Sequence, residues 1–234
     1  MYNPTIQRMF AWGGVAALAL FFLGFFFSGF IPPLSPSLNA EQVAAYYQEH
    51  QTGILVGMTF MMISGMLISP FVALISEQLK RIEGSTPLLA YAQLSAGSMG
   101  IMFFILPAIC FLITAYRPDR PVEITHLMND MSWIVTVLPW PMAFIQNICI
   151  GLAVISDKSA RPVFPRWLGF FNFWIALMLV PASALVFVKS GPFAWNGLFP
   201  FWIPATVFGL WFGTMLVLLL SAIKQQQQDM SAAT

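Results

Sequence analysis

Six apolar runs, none carrying a charged side chain, constrain this chain more than any other feature. They cover residues 9–31, 53–75, 87–116, 131–156, 167–188 and 199–223. A hydrocarbon core ~30 Å thick takes ~20 apolar residues per crossing helix, and each run reaches that length. The runs are continuous, which excludes the alternating ~10-residue pattern of a barrel strand. Backbone in lipid must satisfy its own hydrogen bonds, so each run is predicted to be helical. The expected fold class is all-α: a polytopic membrane protein, a bundle of six transmembrane helices. One domain is expected over residues 1–224, and a disordered tail over 225–234, which opens on four consecutive glutamines.

Composition agrees. The chain is 59% hydrophobic and 8% charged, against ~45–50% and ~25% in soluble domains. Ten basic and nine acidic residues cannot solvate a globule of 234 residues. A net charge of +1 leaves no basic footprint for nucleic acid. The first run exceeds the ~7–15 apolar residues of a signal peptide and lacks a small-x-small cleavage site, so it is expected to stay as an anchor. Basic residues in short loops set orientation. Arg8, Lys80, Arg81, Lys158, Arg161, Arg166 and Lys224 fall on one side, and Arg117, Arg120 and Lys189 on the other. Both termini are thus expected in the cytoplasm. Cys110 and Cys149 fall ~15–20 Å apart in depth at ~1.5 Å per residue, too far for a disulfide.

Three groups of residues carry possible chemistry. The first is an outer rim. Asn39 is a plausible N-cap for a short helix running into the second run, with Glu49 and His50 at the top of that run. Glu123, His126 and Asp130 share one face of a helix expected from about Glu123. Glu-x-x-His is how helical bundles present a carboxylate and an imidazole to a shared metal, and Zn, Mn or Fe suits these ligands. Rim residues of these types are also ordinary where a helix leaves lipid. The second group is uncharged: Gln93, Gln146, Asn147 and Asn172 lie inside the runs. They read as interhelical glue or as contacts to a bound molecule. No ionisable acid, base or histidine sits at mid-depth, which disfavours a proton-driven pump.

The third group is conformational. Five of the six runs hold an internal proline, and Leu138-Pro139-Trp140-Pro141 holds two in one turn. Proline removes a helix hydrogen bond and kinks the helix. Freed carbonyls at membrane depth must face protein or a cavity, so a kinked fourth span beside a cavity is expected, with Trp140 in its lining. Met58, Met61, Met62 and Met66 recur at helical spacing and suit core packing, an apolar pocket wall (Met62 above all) or Cu(I). Trp12, Trp133, Trp167 and Trp195 fall near expected interfaces, as an aromatic belt does. Gly53-x-x-x-Gly57 and Gly209-x-x-x-Gly213 fit close helix approach, within the bundle or between protomers. Phosphate loops, nucleophile elbows, His-Glu-x-x-His and Cys-x-x-Cys are absent from the sequence.

Residues 129–133 (Asn-Asp-Met-Ser-Trp) and 190–197 (Ser-Gly-Pro-Phe-Ala-Trp-Asn-Gly) resemble uncharacterised bacterial six-helix integral membrane proteins of about this length. The resemblance implies the six-helix topology and a bacterial inner membrane, and no activity. Three functions are consistent with the sequence. One is a bundle that binds or translocates an apolar or amphipathic small molecule through a cavity, using Gln146, Asn147, Trp140, Gln93, Asn172 and Met62. Another is a non-catalytic accessory subunit of a larger membrane assembly. The third is a metal-dependent membrane enzyme whose outer-face site uses Glu49, His50, Glu123, His126 and Asp130. The expected partners are membrane lipid, an apolar small molecule, and a membrane protein or further copies of the chain. No cofactor is expected, apart from a transition metal at the rim in the third case.

Overall fold

In the computed structural model, which describes residues 3–232, the elements are helices and no strand occurs among the described residues. The helices are α1 (Pro4–Phe27), α2 (Ala40–Glu49), α3 (Gln51–Glu83), α4 (Leu88–Gly100), α5 (Met102–Tyr116), α6 (Val122–Val137), α7 (Trp140–Ser156), α8 (Trp167–Leu179) and α9 (Ile203–Ala232). A 3-10 segment, Val180–Phe187, extends α8, and a π turn, Leu198–Trp202, leads into α9. Together they make six spans long and apolar enough to cross a membrane: Pro4–Phe27, Gln51–Glu83, Leu88–Tyr116, Val122–Ser156, Trp167–Phe187 and Leu198–Ala232. The protein is an all-α, six-span integral membrane protein.

The spans form a ring in chain order. α1 lies along α3, α3 along α4 and α5, α4 along α7, α5 along α6, α7 along α8, and α9 touches α8 and returns to α1. The α1–α3 pairing is the tightest, because Gly53 and Gly57 let the backbones meet. A Cβ on Gly24 would stand 2.7 Å from the Gly57 carbonyl oxygen, and one on Gly57 would collide with the Gly24 carbonyl and Ser28 Oγ. The first glycine pair expected from the sequence thus acts inside the bundle. The second does not: Gly209 and Gly213 have nothing within 4 Å of an added Cβ.

Four spans are interrupted. Span three breaks between Gly100 and Met102, where the Ile101 N–H donates to Ser98 O in a tightened turn (3.2 Å). Pro107, by contrast, sits inside a continuous α5, and Pro70 inside a continuous α3. Span four breaks at Leu138 and Pro139, as expected. Span five tightens into the 3-10 segment at Pro181, and span six opens with the π turn that holds Pro200.

The helix expected from about Glu123 starts at Val122 and runs on into the fourth apolar run, so the outer helix and the span are one element. One expectation needs correction: the tail, expected to be disordered, is helical over residues 225–232, where α9 runs through Ala232. Side chains on the terminal face hold it there. Gln225 donates to Arg161 O (3.1 Å), Arg8 donates to Gln227 Oε1 (3.0 Å), and Gln78 donates to Gln226 Oε1 (3.2 Å). Asp229 lies 3.5 Å from Arg81 and 3.4 Å from Arg161. Asp229 is half exposed, and such pairs contribute ~0.2–1 kcal/mol each. Asp229→Asn is therefore expected to leave the thermal midpoint nearly unchanged while making the chain beyond Lys224 several-fold more susceptible to limited proteolysis. Equal cleavage rates for variant and parent would count against this clamp.

On the opposite face α2 packs against α6. Asn39 caps it as expected, in a reciprocal capping box with Gln42 (2.9 and 3.0 Å). The Tyr47 hydroxyl donates to Asn129 Oδ1 (3.2 Å). Trp133 and Trp195, expected in the aromatic belt, are buried instead. Trp195 fastens its loop by donating from Nε1 to Leu34 O (2.7 Å). Trp12 and Trp167 are about half exposed, as belt residues are.

Candidate functional site: a cavity where four spans break

All four interruptions meet at one place. Gly100, Pro139, Leu179 with Ala182, and Phe201 with Pro204 line a single cavity of about 100 Å³ inside the ring, and α1 and α3 close its remaining wall. The local sequence explains the break in span four. Pro139 and Pro141 have no N–H to donate, so the Val135 and Val137 carbonyls lose their helical partners. Such carbonyls persist in a membrane only beside protein or a cavity. The lining is mostly apolar, with Phe21, Phe104, Phe208 and Phe212 among its side chains.

Three of the six residues expected to contact a ligand line this cavity: Trp140, Gln146 and Asn147. Gln146 and Asn147 are buried, and each carries an unpartnered polar atom, Nε2 of Gln146 and Oδ1 of Asn147. Asn147 is oriented by its own helix, since its Nδ2 donates to Ala143 O (2.8 Å). Gln146 packs over Gly97 of α4, where a Cβ would come within 2.7 Å of Nε2. Any larger residue at position 97 would push that amide aside.

The other three lie elsewhere. Asn172 is buried and its amide is fully engaged: Nδ2 donates to Leu168 O (2.8 Å), and Oδ1 accepts from Trp211 Nε1 (3.0 Å). It reaches the cavity only through the Trp211 indole, which lines the wall. Gln93 is fully buried, one turn before Gly97 and outside the wall, and neither of its amide atoms has a partner. Met62 is 37% exposed on the outside of α3. The methionine face divides because four residues advance a helix by about 40° beyond one turn. Met58 and Met61 point inward, and Met62 and Met66 have rotated outward. Three wall features escaped the sequence reading: Gly97, Gly100 and Thr136. Gly97-x-x-Gly100 within an apolar run was the available signal for the break in span three.

The rim residues are spread out. His50 stacks on Tyr46 with ring centroids 4.1 Å apart, and its Nδ1 is 3.2 Å from Tyr46 O. His126 Nε2 stands 4.0 Å from Asp130 Oδ1. Glu49 and Glu123 are exposed. Among the described residues, no three His, Cys, Asp or Glu side chains gather where they could hold a metal ion. Cys110 and Cys149 are unbridged and buried.

Tyr46 ties α2 to the end of α1 by donating to Gly29 O (2.7 Å). Burial, and then the neighbouring Glu49 carboxylate, push its hydroxyl up to about 12. The neutral form is thus favoured by folding. Stability from this group is complete below the ordinary tyrosine value of about 10 and is lost as pH rises from there toward 12. Absorbance titration at 295 nm is expected to show one tyrosine ionising near 12 that disappears in Tyr46→Phe. Identical titration curves for the two proteins would contradict the assignment.

Comparisons of the chain with protein-family models, with curated proteins and with solved structures return no match.

Proposed function

We propose that this protein binds a small apolar or amphipathic molecule in the central cavity and carries it within or across the membrane, with both termini in the cytoplasm of a bacterial cell. The observation that supports this reading is the convergence of four helix interruptions on one apolar cavity lined by two buried amides with unpartnered atoms. Broken spans around a midplane site recur in membrane carriers. At about 100 Å³ the cavity is smaller than the ~150 Å³ engineered void that accepts benzene, so it suits a short chain or the end of a longer one.

Trp140 supplies a reporter. In lipid nanodiscs, 1-bromopropane is expected to quench its emission saturably. Ala143→Phe, which fills the wall beside it, should make the quenching linear in probe concentration. Linear quenching in the parent protein would overturn the reading.

A second reading, an accessory subunit of a membrane assembly, is favoured by Gly209 and Gly213, which leave one side of α9 open. Gly213→Cys should then cross-link to another chain in intact membranes. Failure to cross-link under conditions that oxidise a control pair would dismiss it.

A further inference from the structure

A second site lies on the outside of the bundle and is independent of the cavity. We propose that the groove between the start of α8 and the middle of α9 holds an acyl chain of an anionic phospholipid, in the leaflet on the side of the termini, with the headgroup at Lys224 and Arg166. Trp167, Gly213, Thr214, Val217 and Leu218 line this groove of about 300 Å³. It opens to the lipid: Trp167 is 52% and Val217 65% exposed. No described residue covers its deep end, since a Cβ added at Gly213 would meet nothing within 4 Å.

Helical register places a charge at the shallow end. Lys224 follows Val217 by about two turns and Gly213 by about three, each to within ~20°, so all three share one face of α9, and Lys224 is exposed. At ~1.5 Å per residue Lys224 stands ~16 Å from Gly213 along the axis. That is about half of a ~30 Å hydrocarbon core, the depth of one leaflet. Arg166 immediately precedes Trp167, and a long basic side chain keeps its stem on apolar surface while its charge reaches the headgroups.

Other cations on the terminal face are engaged. Arg8 donates to Gln227 (3.0 Å), Lys80 pairs with Glu77 (3.7 Å), and Arg81 and Arg161 both approach Asp229 (3.5 and 3.4 Å). Lys158, Arg166 and Lys224 are exposed and make no ion pair among the described residues. Two of these three therefore stand at the groove. Each basic residue near the surface draws anionic lipid, whereas a zwitterionic headgroup brings a cation of its own. A second copy packed face to face on this groove would set Lys224 against Lys224, because such an interface is self-complementary.

The test reconstitutes the protein in vesicles of phosphatidylcholine and phosphatidylglycerol, with dibrominated chains on one lipid or the other to quench tryptophan. The Trp167 signal is the difference between the parent and Trp167→Phe. Its dependence on the brominated fraction gives the relative affinity of the two lipids. Phosphatidylglycerol is expected to be preferred about fivefold or more. Lys224→Gln should at least halve the preference, and adding Arg166→Gln should bring the ratio close to one. Lys80→Gln removes a charge from the same face, but beside Tyr91 of α4, and should leave the ratio unchanged. Equal affinities of the two lipids in the parent protein would overturn the site. So would a ratio that falls as far in Lys80→Gln as in Lys224→Gln, which would reduce the effect to diffuse surface charge. Quenching of Trp167 by neither lipid would also overturn it, and would give this face to another protein chain.

Discussion

Trp133→Ala is expected to lower the free energy of unfolding by about 3 kcal/mol, measured by reversible unfolding in mixed micelles. Trp133 is fully buried, with ring centroids of Phe111 at 5.1 Å, Phe30 at 5.2 Å, Phe25 at 6.0 Å and Phe201 at 6.4 Å. These rings belong to α5, the chain after α1, α1 itself and the π turn, so one indole joins three spans and a connecting segment to α6. Aromatic truncation in water-soluble cores costs ~3–5 kcal/mol. The lower end applies here for two reasons. Lipid is as apolar as the core, so packing rather than transfer from water supplies the energy. The Trp133 Nε1 also has no partner, and deleting it relieves a desolvated donor, worth ~1–3 kcal/mol. Trp133→Phe, which keeps a ring and drops that donor, should cost well under half as much. Phe25 and Phe201 also line the cavity, so the alanine variant should loosen probe binding together with stability. A loss below ~1 kcal/mol for the alanine variant would show that the ring cluster does not organise this half of the bundle.

Gly57→Val should be comparably damaging, and Gly213→Val nearly silent. At position 57 the new side chain meets backbone, the Gly24 carbonyl, together with Ser28. A carbonyl cannot swing away as a side-chain end does, so α1 and α3 must separate along their tightest contact. Overpacking costs ~1–3 kcal/mol where neighbours adjust, and more where they cannot; about 3 kcal/mol is expected. At position 213 nothing lies within 4 Å, so a valine there meets lipid and should change the unfolding midpoint within error. The two positions share one sequence motif, and only their surroundings differ. Equal effects at 57 and 213 would contradict the assignment of the first motif to the bundle interior.

Particular residues show what could be read without coordinates. The six crossings follow from one physical cost: a charge in hydrocarbon is expensive, and every charged side chain falls between runs. The break at Pro139, the Asn39 cap and the close approach at Gly53 and Gly57 were legible for the same kind of reason. Each depends on backbone groups within a few residues. Trp140, Gln146 and Asn147 were found as wall residues because they lie on the span that proline interrupts.

Other features depend on what stands opposite. Pro107 reads as a breaker, yet α5 continues through it and the interruption falls at Gly100, where α4 packs against α7. Trp133 reads as an interface residue when the span is counted from 131. Counted from Val122, it lies eleven residues along the helix, ~16 Å at ~1.5 Å per residue, in a cluster supplied by distant parts of the chain. Asn172 and Gln146 look alike in sequence, but one is engaged by Trp211 and the other faces a cavity. The tail reads as disordered because four glutamines carry little helix-specific information. It is helical because Arg8, Gln78 and Arg161 stand within reach.

The sequence by itself therefore determined the solvent of this protein and the number and length of its crossings, since both follow from the cost of placing charge and unpaired backbone in lipid. Tertiary structure alone decided where the four interruptions meet and which amides keep a free donor and acceptor. Those outcomes are set by contacts between residues far apart in the chain, and no local pattern records them.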